Sequence, residues 1–326
     1  MSLIKDSILQ LLQVLSVLLL SPLLQGFIAQ FTARIKRCQG SGVFQPYRDL
    51  WKFFHKQIII PHTASWLFWL APIVAFTSVL TVPILIPVLT DFPLPLSNMG
   101  DILGGGLILT LGSFMILLAG LDSGSAFGGV GSSRAVMLII LAEPILILIL
   151  IGISSLAKAM LPFVVNHLLA NNFSIYLSPA NLFLVFAFFI LLLVETDRLP
   201  FHSATPMEIY MIDEARILEY SGPLLGLLKW AAMMKQFILY TIFCNVLTLP
   251  WGLSHLGQSL GIVGSIVILL GKFILVAIVV VIVETVQARL RFYRYQEPLA
   301  VSFLLAALAI ITNQLGIAYV TTNAAG

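Results

Sequence analysis

The sequence predicts an all-α polytopic membrane protein with about eight transmembrane helices and a cytoplasmic, interfacial amphipathic helix. Hydrophobic residues make up 60% of the 326 residues, and only 10% of the residues are charged. The mean hydropathy is +1.05. A soluble protein with so apolar a core would need more charged residues to cover its surface. Most of the chain must therefore use lipid as its solvent. The ten-residue alternation typical of a membrane β-barrel is missing from the sequence, which leaves the helix to satisfy the backbone in lipid.

Eight apolar segments are long enough to cross a bilayer, since a span needs about 20 residues at about 1.5 Å each. We place them at roughly 8–31, 66–90, 101–120, 136–157, 176–194, 223–250, 260–284 and 299–320. Pro72, Pro83 and Pro87 are expected to kink or break the second span. The sequence shows no repeat and no Pro- or Ser-rich linker, so we treat residues 1–326 as a single membrane domain.

The distribution of cations predicts the orientation. Eight spans put both termini on one side of the membrane, and twelve of the 17 Lys and Arg residues then fall in the loops of the other side, 32–65, 121–135, 195–222 and 285–298. By the positive-inside rule, these four loops are cytoplasmic and both termini lie outside.

Residues that commonly bind cofactors are sparse. Cys38 and Cys244 fit no disulfide, zinc or iron–sulfur spacing, and the five histidines form no i, i+4 pair. No phosphate-binding glycine loop follows a predicted strand. We therefore expect no catalytic site, no metal and no redox centre in this chain, and no nucleic-acid partner.

Several charges lie where lipid would penalise them. Five ionisable residues fall within predicted spans, and a sixth closes the fifth span: Glu143, Lys229, Lys235, Lys272, Glu284 and Glu195. Each costs at least about 2.5–3.5 kcal/mol at mid-bilayer, which indicates pairing, burial in protein or a path of water. Buried carboxylates and ammonium groups suit a proton relay. Static ion pairs between helices, and snorkelling from helix ends, are the alternatives.

The loop between the first two spans contains an amphipathic segment. Apolar residues recur at helical spacing, with mostly charged residues between them, at Tyr47, Leu50, Trp51, Phe54 and Ile58. This pattern predicts an interfacial helix at about 43–58 that ends near Pro61. The helix is either a docking surface for a soluble partner, a lid over a cavity, or a plain membrane-surface anchor.

The segment between the third and fourth spans is rich in glycine and serine from Gly120 to Arg134 and also contains Asp122. So many small residues make a poor helix and permit close approach of another backbone or of a ligand. We therefore expect a loop that forms a binding interface, and flexibility without a function is the alternative.

These segments together resemble the family that contains subunit 1 of respiratory NADH:quinone oxidoreductase and its bacterial counterpart. The same family includes the corresponding membrane subunits of formate hydrogenlyase and hydrogenase-4-type complexes. The motif around Gln45, Tyr47, Arg48 and Asp49 is similar to the hydrogenase branch's Gly-x-x-Gln-x-Tyr-Arg-Asp-x-x-Lys. Further similar stretches are Gly120–Ser125, Gly131–Arg134, Glu143-Pro144, Glu219–Gly222, Lys229-Trp230 and Lys235-Gln236.

Two stretches depart from the family pattern. Arg37-Cys-Gln-Gly-Ser-Gly42 stands where many relatives have Arg-Arg-Gly-Pro-Gly, and His202-Ser203 stands where relatives place Asp. Both lie where the family meets its electron-transfer arm or encloses quinone.

The resemblance implies a membrane anchor and coupling subunit of a redox-driven complex that translocates protons or another cation. Iron–sulfur clusters or a nickel–iron site would belong to peripheral, hydrogenase-like large and small subunits, and antiporter-like membrane subunits would lie alongside. The membrane would be the cytoplasmic membrane of a bacterium or archaeon. The alternatives are a quinone-binding subunit of an NADH:quinone oxidoreductase-like complex and a stand-alone ion channel or transporter.

The resemblance also suggests one group of residues for a proton path and another for docking or for a cavity. Lys272, which lies in the middle of a span, is added to the proton path. The predicted proton path comprises Glu143, Glu195, Glu208, Glu214, Glu219, Lys229, Lys235, Lys272 and Glu284. The predicted docking or cavity residues are Gln45, Tyr47, Arg48, Asp49, Asp122 and Arg134.

Overall fold

The computed structural model describes residues 2–86, 88–90, 92, 96, 100–196, 198, 213–253, 259–286 and 295–324. The twelve α-helices in these ranges are α1 Ser2–Ile35, α2 Gln45–Phe54, α3 Leu67–Leu85, α4 Ile102–Asp122, α5 Ala126–Ala157, α6 Pro162–Asn171, α7 Phe173–Tyr176, α8 Pro179–Glu195, α9 Asp213–Arg216, α10 Gly222–Ile242, α11 Ser259–Val286 and α12 Gln296–Ala324. A π-helix, Phe243–Thr248, continues directly from α10.

The predicted fold class is confirmed: the described chain is an all-α polytopic membrane protein. Seven helical segments are long and apolar enough to cross a membrane, and α8 is a shorter apolar helix. Its 17 residues lie at the lower limit for a span, which is about 17 residues. These eight segments correspond to the eight predicted spans, with ends that differ by several residues.

The second predicted span, 66–90, is shorter as a helix than expected. Pro72 and Pro83 lie within α3, which ends at Leu85. Ile86 is extended, with φ −102° and ψ 134°. This conformation is the one that a residue preceding proline favours, and Pro87 follows in the sequence.

The loop expected at 121–135 is wrong over most of its length, because α5 begins at Ala126, ten residues before the predicted span. The Ser125 hydroxyl caps the new helix by accepting a hydrogen bond from the Gly128 amide at 3.0 Å. Further along the helix, Ser132 donates to the Leu117 carbonyl of α4 at 3.3 Å. The small residues that make a poor isolated helix therefore allow α4 and α5 to pack closely, and this packing outweighs their low helix propensity.

The loops gather on two opposite faces of the bundle. On the first, the Ser65 amide donates to Asp122 at 2.9 Å and the Ile59 amide donates to Ser221 at 2.8 Å. On the second, the Ile102 amide donates to the Met160 carbonyl at 3.0 Å. We call them the inner and the outer face. This grouping is the one that the predicted order of spans requires, while the cytoplasmic assignment of the inner face stays a prediction.

Helix α2 lies on the inner face and packs against α1 and α10. Its Leu50 is buried, and Phe54 contacts Trp230 of α10 with ring centroids 6.0 Å apart. Tyr47 donates a hydrogen bond to the Leu19 carbonyl of α1. Trp51, on another side of the helix, is 70% exposed. The amphipathic helix predicted at 43–58 is thus present in a shorter form.

Candidate functional site

A half-buried ion pair joins α8 to α10. The last residue of α8, Glu195, has its Oε2 atom 2.6 Å from the Nζ atom of Lys235. The same ammonium donates to the Ser113 hydroxyl of α4 at 2.8 Å. Three helices that are distant in sequence thus meet at one polar point inside the bundle.

Glu143 of α5 adds a second carboxylate to this group. It lies within electrostatic range of both Glu195 and Lys235, and Thr110 of α4 is placed to bond to it. We call Glu143, Glu195 and Lys235 the central cluster.

A cavity of about 380 Å³ lies beside the central cluster. Apolar side chains such as Val79, Leu109 and Ile116 form one part of its wall. The remainder of the wall is polar and includes Gln25, Glu195, Arg198, Glu214, Lys229 and Lys235. A chamber lined by charges of both signs is suited to holding water or the polar end of a ligand.

A second ion pair marks the side of the cavity nearest to solvent. Glu214 of α9 lies 3.7 Å from Lys229 of α10, and the Glu214 side chain is 53% exposed. Arg198, just after α8, donates to Gln25 of α1 at 3.0 Å. The cavity therefore reaches from the exposed α9 region to the half-buried central cluster.

The remaining residues of the predicted path lie elsewhere. Glu284 of α11 is 3.4 Å from Lys36, on the inner face. Lys272 of α11 donates to Asn245 and to the Leu249 carbonyl, in the half of the bundle nearer to the outer face. Glu219 is half-buried in the turn before α10 and does not line the cavity. Glu208 lies outside the described residues.

The predicted docking residues on α2 have different environments. Gln45 donates to Asp49 at 2.8 Å, and Asp49 also pairs with Lys52 at 3.7 Å. Arg48 is exposed. Partial burial raises the pKa of Tyr47 above its ordinary value.

The other two predicted docking residues lie beyond α2. Asp122 ends α4 and accepts a hydrogen bond from the Ser65 amide, which fixes the loop before α3. Arg134 is half-buried and lies within α5 rather than in a loop.

Several polar residues of the site carry no charge and were not predicted. Thr110 and Ser113 are three residues apart on α4, and Gln236 and Tyr240 are four apart on α10. Such spacing puts each pair on one face of its helix. A search for uncharged polar residues at helical spacing within apolar segments could have found them.

The family described as NADH dehydrogenase matches residues 7–314. This chain belongs to the NADH dehydrogenase family. Hydrogenase-4 component C of Escherichia coli (strain K12) is 32% identical over 299 residues, which cover 92% of this chain and 93% of that protein. Formate hydrogenlyase subunit 4 of the same organism is 32% identical over 285 residues, with 86% and 90% covered.

A solved structure shares the fold of this NADH dehydrogenase family member. It is a chain of the membrane-bound sulfane sulfur reductase, an archaeal respiratory membrane complex, with a TM-score of 0.78 and 21% identity. The match covers 96% of this chain and 100% of that chain. The predicted resemblance is confirmed. The chain is an integral membrane protein whose relatives are membrane subunits of multisubunit complexes.

Proposed function

We propose that this chain is the membrane anchor and coupling subunit of a redox-driven complex that translocates protons or another cation. In this proposal it links a peripheral electron-transfer arm, with iron–sulfur and hydrogenase-like large and small subunits, to antiporter-like membrane subunits. Any iron–sulfur clusters or nickel–iron site would belong to the peripheral subunits. The similarity to hydrogenase-4 component C and formate hydrogenlyase subunit 4 supports this assignment.

The central cluster beside the cavity is the observation that carries the proposal. Glu195 and Lys235 are paired at 2.6 Å, and Glu143 lies within range of both. Because charges interact strongly inside a protein, a change in charge at the exposed Glu214–Lys229 pair would alter the electrostatic potential at the central cluster. A redox event in a neighbouring subunit would then move a proton without covalent chemistry in this chain.

The inner face is where the peripheral arm would dock. Helix α2 exposes Arg48 and Trp51 there, while its Leu50 side is taken up by contact with the bundle. Aromatic residues and arginine are enriched at protein interfaces. The α2 surface therefore offers both residue types on a helix that the bundle holds in place.

The decisive experiment compares Glu143→Gln with Glu297→Gln in the complex purified through a tag on this chain. Both changes remove one carboxylate with little change of shape, and Glu297 is an exposed residue at the start of α12. We expect Glu143→Gln to lower redox-linked proton uptake in proteoliposomes at least tenfold, with electron transfer and subunit composition retained. The Glu297 variant should behave as the unaltered protein.

Two results would contradict this function. Normal proton uptake by the Glu143 variant would remove the central cluster from the path, and loss of subunits would assign it a structural role. Sustained proton flux through the reconstituted chain by itself would indicate a stand-alone channel or transporter instead.

Docking is tested by whether soluble subunits co-purify. We expect Arg48→Ala to lower the yield of peripheral subunits several-fold. Lys158→Ala removes an exposed cation from the outer face and serves as the control. Equal yields from the two variants would place the docking surface away from Arg48.

The cavity supports a second candidate function, which is quinone binding. Its volume of about 380 Å³ falls within the range of roughly 300–1,000 Å³ typical of small-molecule pockets. Its wall also combines apolar residues with a few polar groups. Ubiquinone or menaquinone extracted in equimolar amount from the purified complex, and lost on Ala75→Trp, would establish this function.

A further inference from the structure

Several buried polar atoms near α10 have no hydrogen-bond partner among the described residues. They are Arg198 Nε, Gln236 Nε2, Tyr240 Oη and Glu284 Oε2. The Tyr240 side chain is 0% exposed, and it lies within electrostatic range of Arg198 and Glu284 and beside Gln236. Leaving such a group unsatisfied costs about 1–3 kcal/mol, so folded proteins commonly satisfy these atoms with ordered water.

Two of these residues, Gln236 and Tyr240, lead away from the cavity toward the outer face. Gln236 lines the cavity, Tyr240 follows one turn later, and Cys244 follows after another turn. Residues four apart lie on one face of an α-helix, about 6 Å from each other along its axis. Gln236, Tyr240 and Cys244 therefore continue the polar wall of the cavity into the bundle.

This continuation of the polar wall ends at Lys272 of α11. Its Nζ atom donates to Asn245 Oδ1 at 2.9 Å and to the Leu249 carbonyl at 2.7 Å, and the residue is 7% exposed. These bonds use two of the three protons of an ammonium. Among the described residues, no carboxylate pairs with it.

The backbone at this end departs from the regular α-helix. Residues Phe243–Thr248 form a π-helix, and the Leu249 amide donates to the Cys244 carbonyl, five residues earlier, at 2.7 Å. Asn245 is held from two sides, because its side chain donates to the Val88 carbonyl and its own carbonyl accepts from Asn166. Isolated π-helical turns occur frequently at functional sites.

We propose that a file of water molecules runs along α10 from the cavity to Lys272, past Gln236, Tyr240 and Cys244. The file extends the polar path from the central cluster into the outer half of this same chain. Its hydration near the cavity is argued from the unpartnered atoms of Gln236 and Tyr240, whereas its use for outward proton movement rests on the proposed coupling function.

The Cys244 thiol is a natural probe of this file. The chain contains two cysteines, so Cys38→Ser leaves Cys244 as the sole thiol. The full chain in lipid nanodiscs is transferred into D₂O, and infrared spectroscopy follows the conversion of the S–H band to S–D. Although Cys244 is 0% exposed, we expect its thiol to exchange much faster than the slowest backbone amides.

Two variants in the Cys38→Ser background form a matched pair on α10. Tyr240→Phe removes the unpartnered hydroxyl from the file. Thr241→Val removes a hydroxyl that is equally buried but already bonds to the Phe237 carbonyl at 2.8 Å. We expect Tyr240→Phe to slow thiol exchange at least tenfold and Thr241→Val to leave it within twofold. Thermal unfolding checks that both variants fold, and Gln236→Met repeats the test from the cavity side.

Two outcomes would overturn the proposal. An S–H band that persists as long as the slowest amides would show that the segment is dry. Equal exchange in the Tyr240 and Thr241 variants would show that water reaches Cys244 by another route. Neither result depends on the Glu143 variant, so failure of the file and failure of the coupling function can be told apart.

Discussion

Glu195 and Lys235 form an ion pair at 2.6 Å that joins the end of α8 to the second half of α10. The two side chains are only 11% and 21% exposed. Loss of one partner from such a pair leaves the other charge buried without compensation, at a cost of about 3–5 kcal/mol. This pair therefore holds two spans in register in addition to its place in the central cluster.

The first prediction concerns this pair. Lys235→Met should lower the free energy of unfolding of the full chain in detergent by about 3 kcal/mol, because Glu195 loses its partner. Lys52→Met is the control, since the Lys52–Asp49 pair is 63% and 42% exposed and such pairs contribute about 0–1 kcal/mol. Denaturant titration measures both variants, and similar losses would mean that the Glu195–Lys235 pair is effectively solvated.

The second prediction concerns the start of α5. Ser125→Ala removes the hydroxyl that caps Gly128, which should cost about 0.5–2 kcal/mol of stability. Ser133→Ala, within the same helix, removes an exposed hydroxyl that, within the described part of the chain, bonds to the Val130 carbonyl of its own helix. We expect a loss below about 0.5 kcal/mol for this control. Equal thermal stability of the two variants would indicate that the α4–α5 contact holds this helix start without the cap.

The third prediction tests a close approach between α10 and the chain after α2. Gly222 has φ +58°, and a Cβ atom there would lie 2.7 Å from the Gln57 carbonyl oxygen and 2.8 Å from that of Lys56. Gly222→Ala should therefore destabilise the protein by more than about 1 kcal/mol. Gly129→Ala, at an open helical position in α5, should instead stabilise it by roughly 0.5–1 kcal/mol. Opposite shifts in melting temperature are expected.

The fourth prediction is a dependence on pH that arises at Tyr220. Its ring stacks on Phe68 with centroids 4.0 Å apart, and its hydroxyl donates to the Phe68 carbonyl at 3.0 Å. Burial, and then the nearby Asp122 carboxylate, raise the pKa of Tyr220 above its ordinary value. The folded state thus retains a proton that the unfolded chain releases near pH 10, so this contribution is complete below about pH 10 and is lost as the pH rises further.

The measurement for Tyr220 is the free energy of unfolding between about pH 9 and pH 11. Stability should fall with pH in the unaltered chain, and the fall should be smaller in Tyr220→Phe, which cannot ionise at this position. If the two slopes agree, Tyr220 ionises as readily in the folded protein as in the unfolded chain.

The apolar segments and the amphipathic segment around Leu50 could be predicted because their signals are local. A run of about 20 apolar residues requires lipid wherever it lies in the fold. The same local reasoning failed at Gly120–Arg134. There, low helix propensity was outweighed by the Ser132 bond to Leu117 and by close contact between α4 and α5, which no local pattern shows.

For the charged residues, too, the sequence predicted one part of the outcome and the tertiary structure decided the other. Their presence within spans indicated that Glu143, Lys235 and Lys272 needed partners, since isolated charges are costly in lipid. Which partner each one has could not be predicted, because it depends on distances between helices that are remote in sequence. The structure brings Glu143 and Lys235 to Glu195, whereas Lys272 is bound by Asn245 and the Leu249 carbonyl.

The amino-acid sequence by itself determined that this protein is a helical membrane protein with its polar loops divided between two faces, because the transfer of apolar segments into lipid depends on composition and length. Tertiary packing decided that α4 and α5 approach closely, that a cavity forms beside Glu195 and Lys235, and that Tyr240 is buried next to Gln236. These features arise from contacts between distant helices, whose geometry is set only when the whole bundle has assembled.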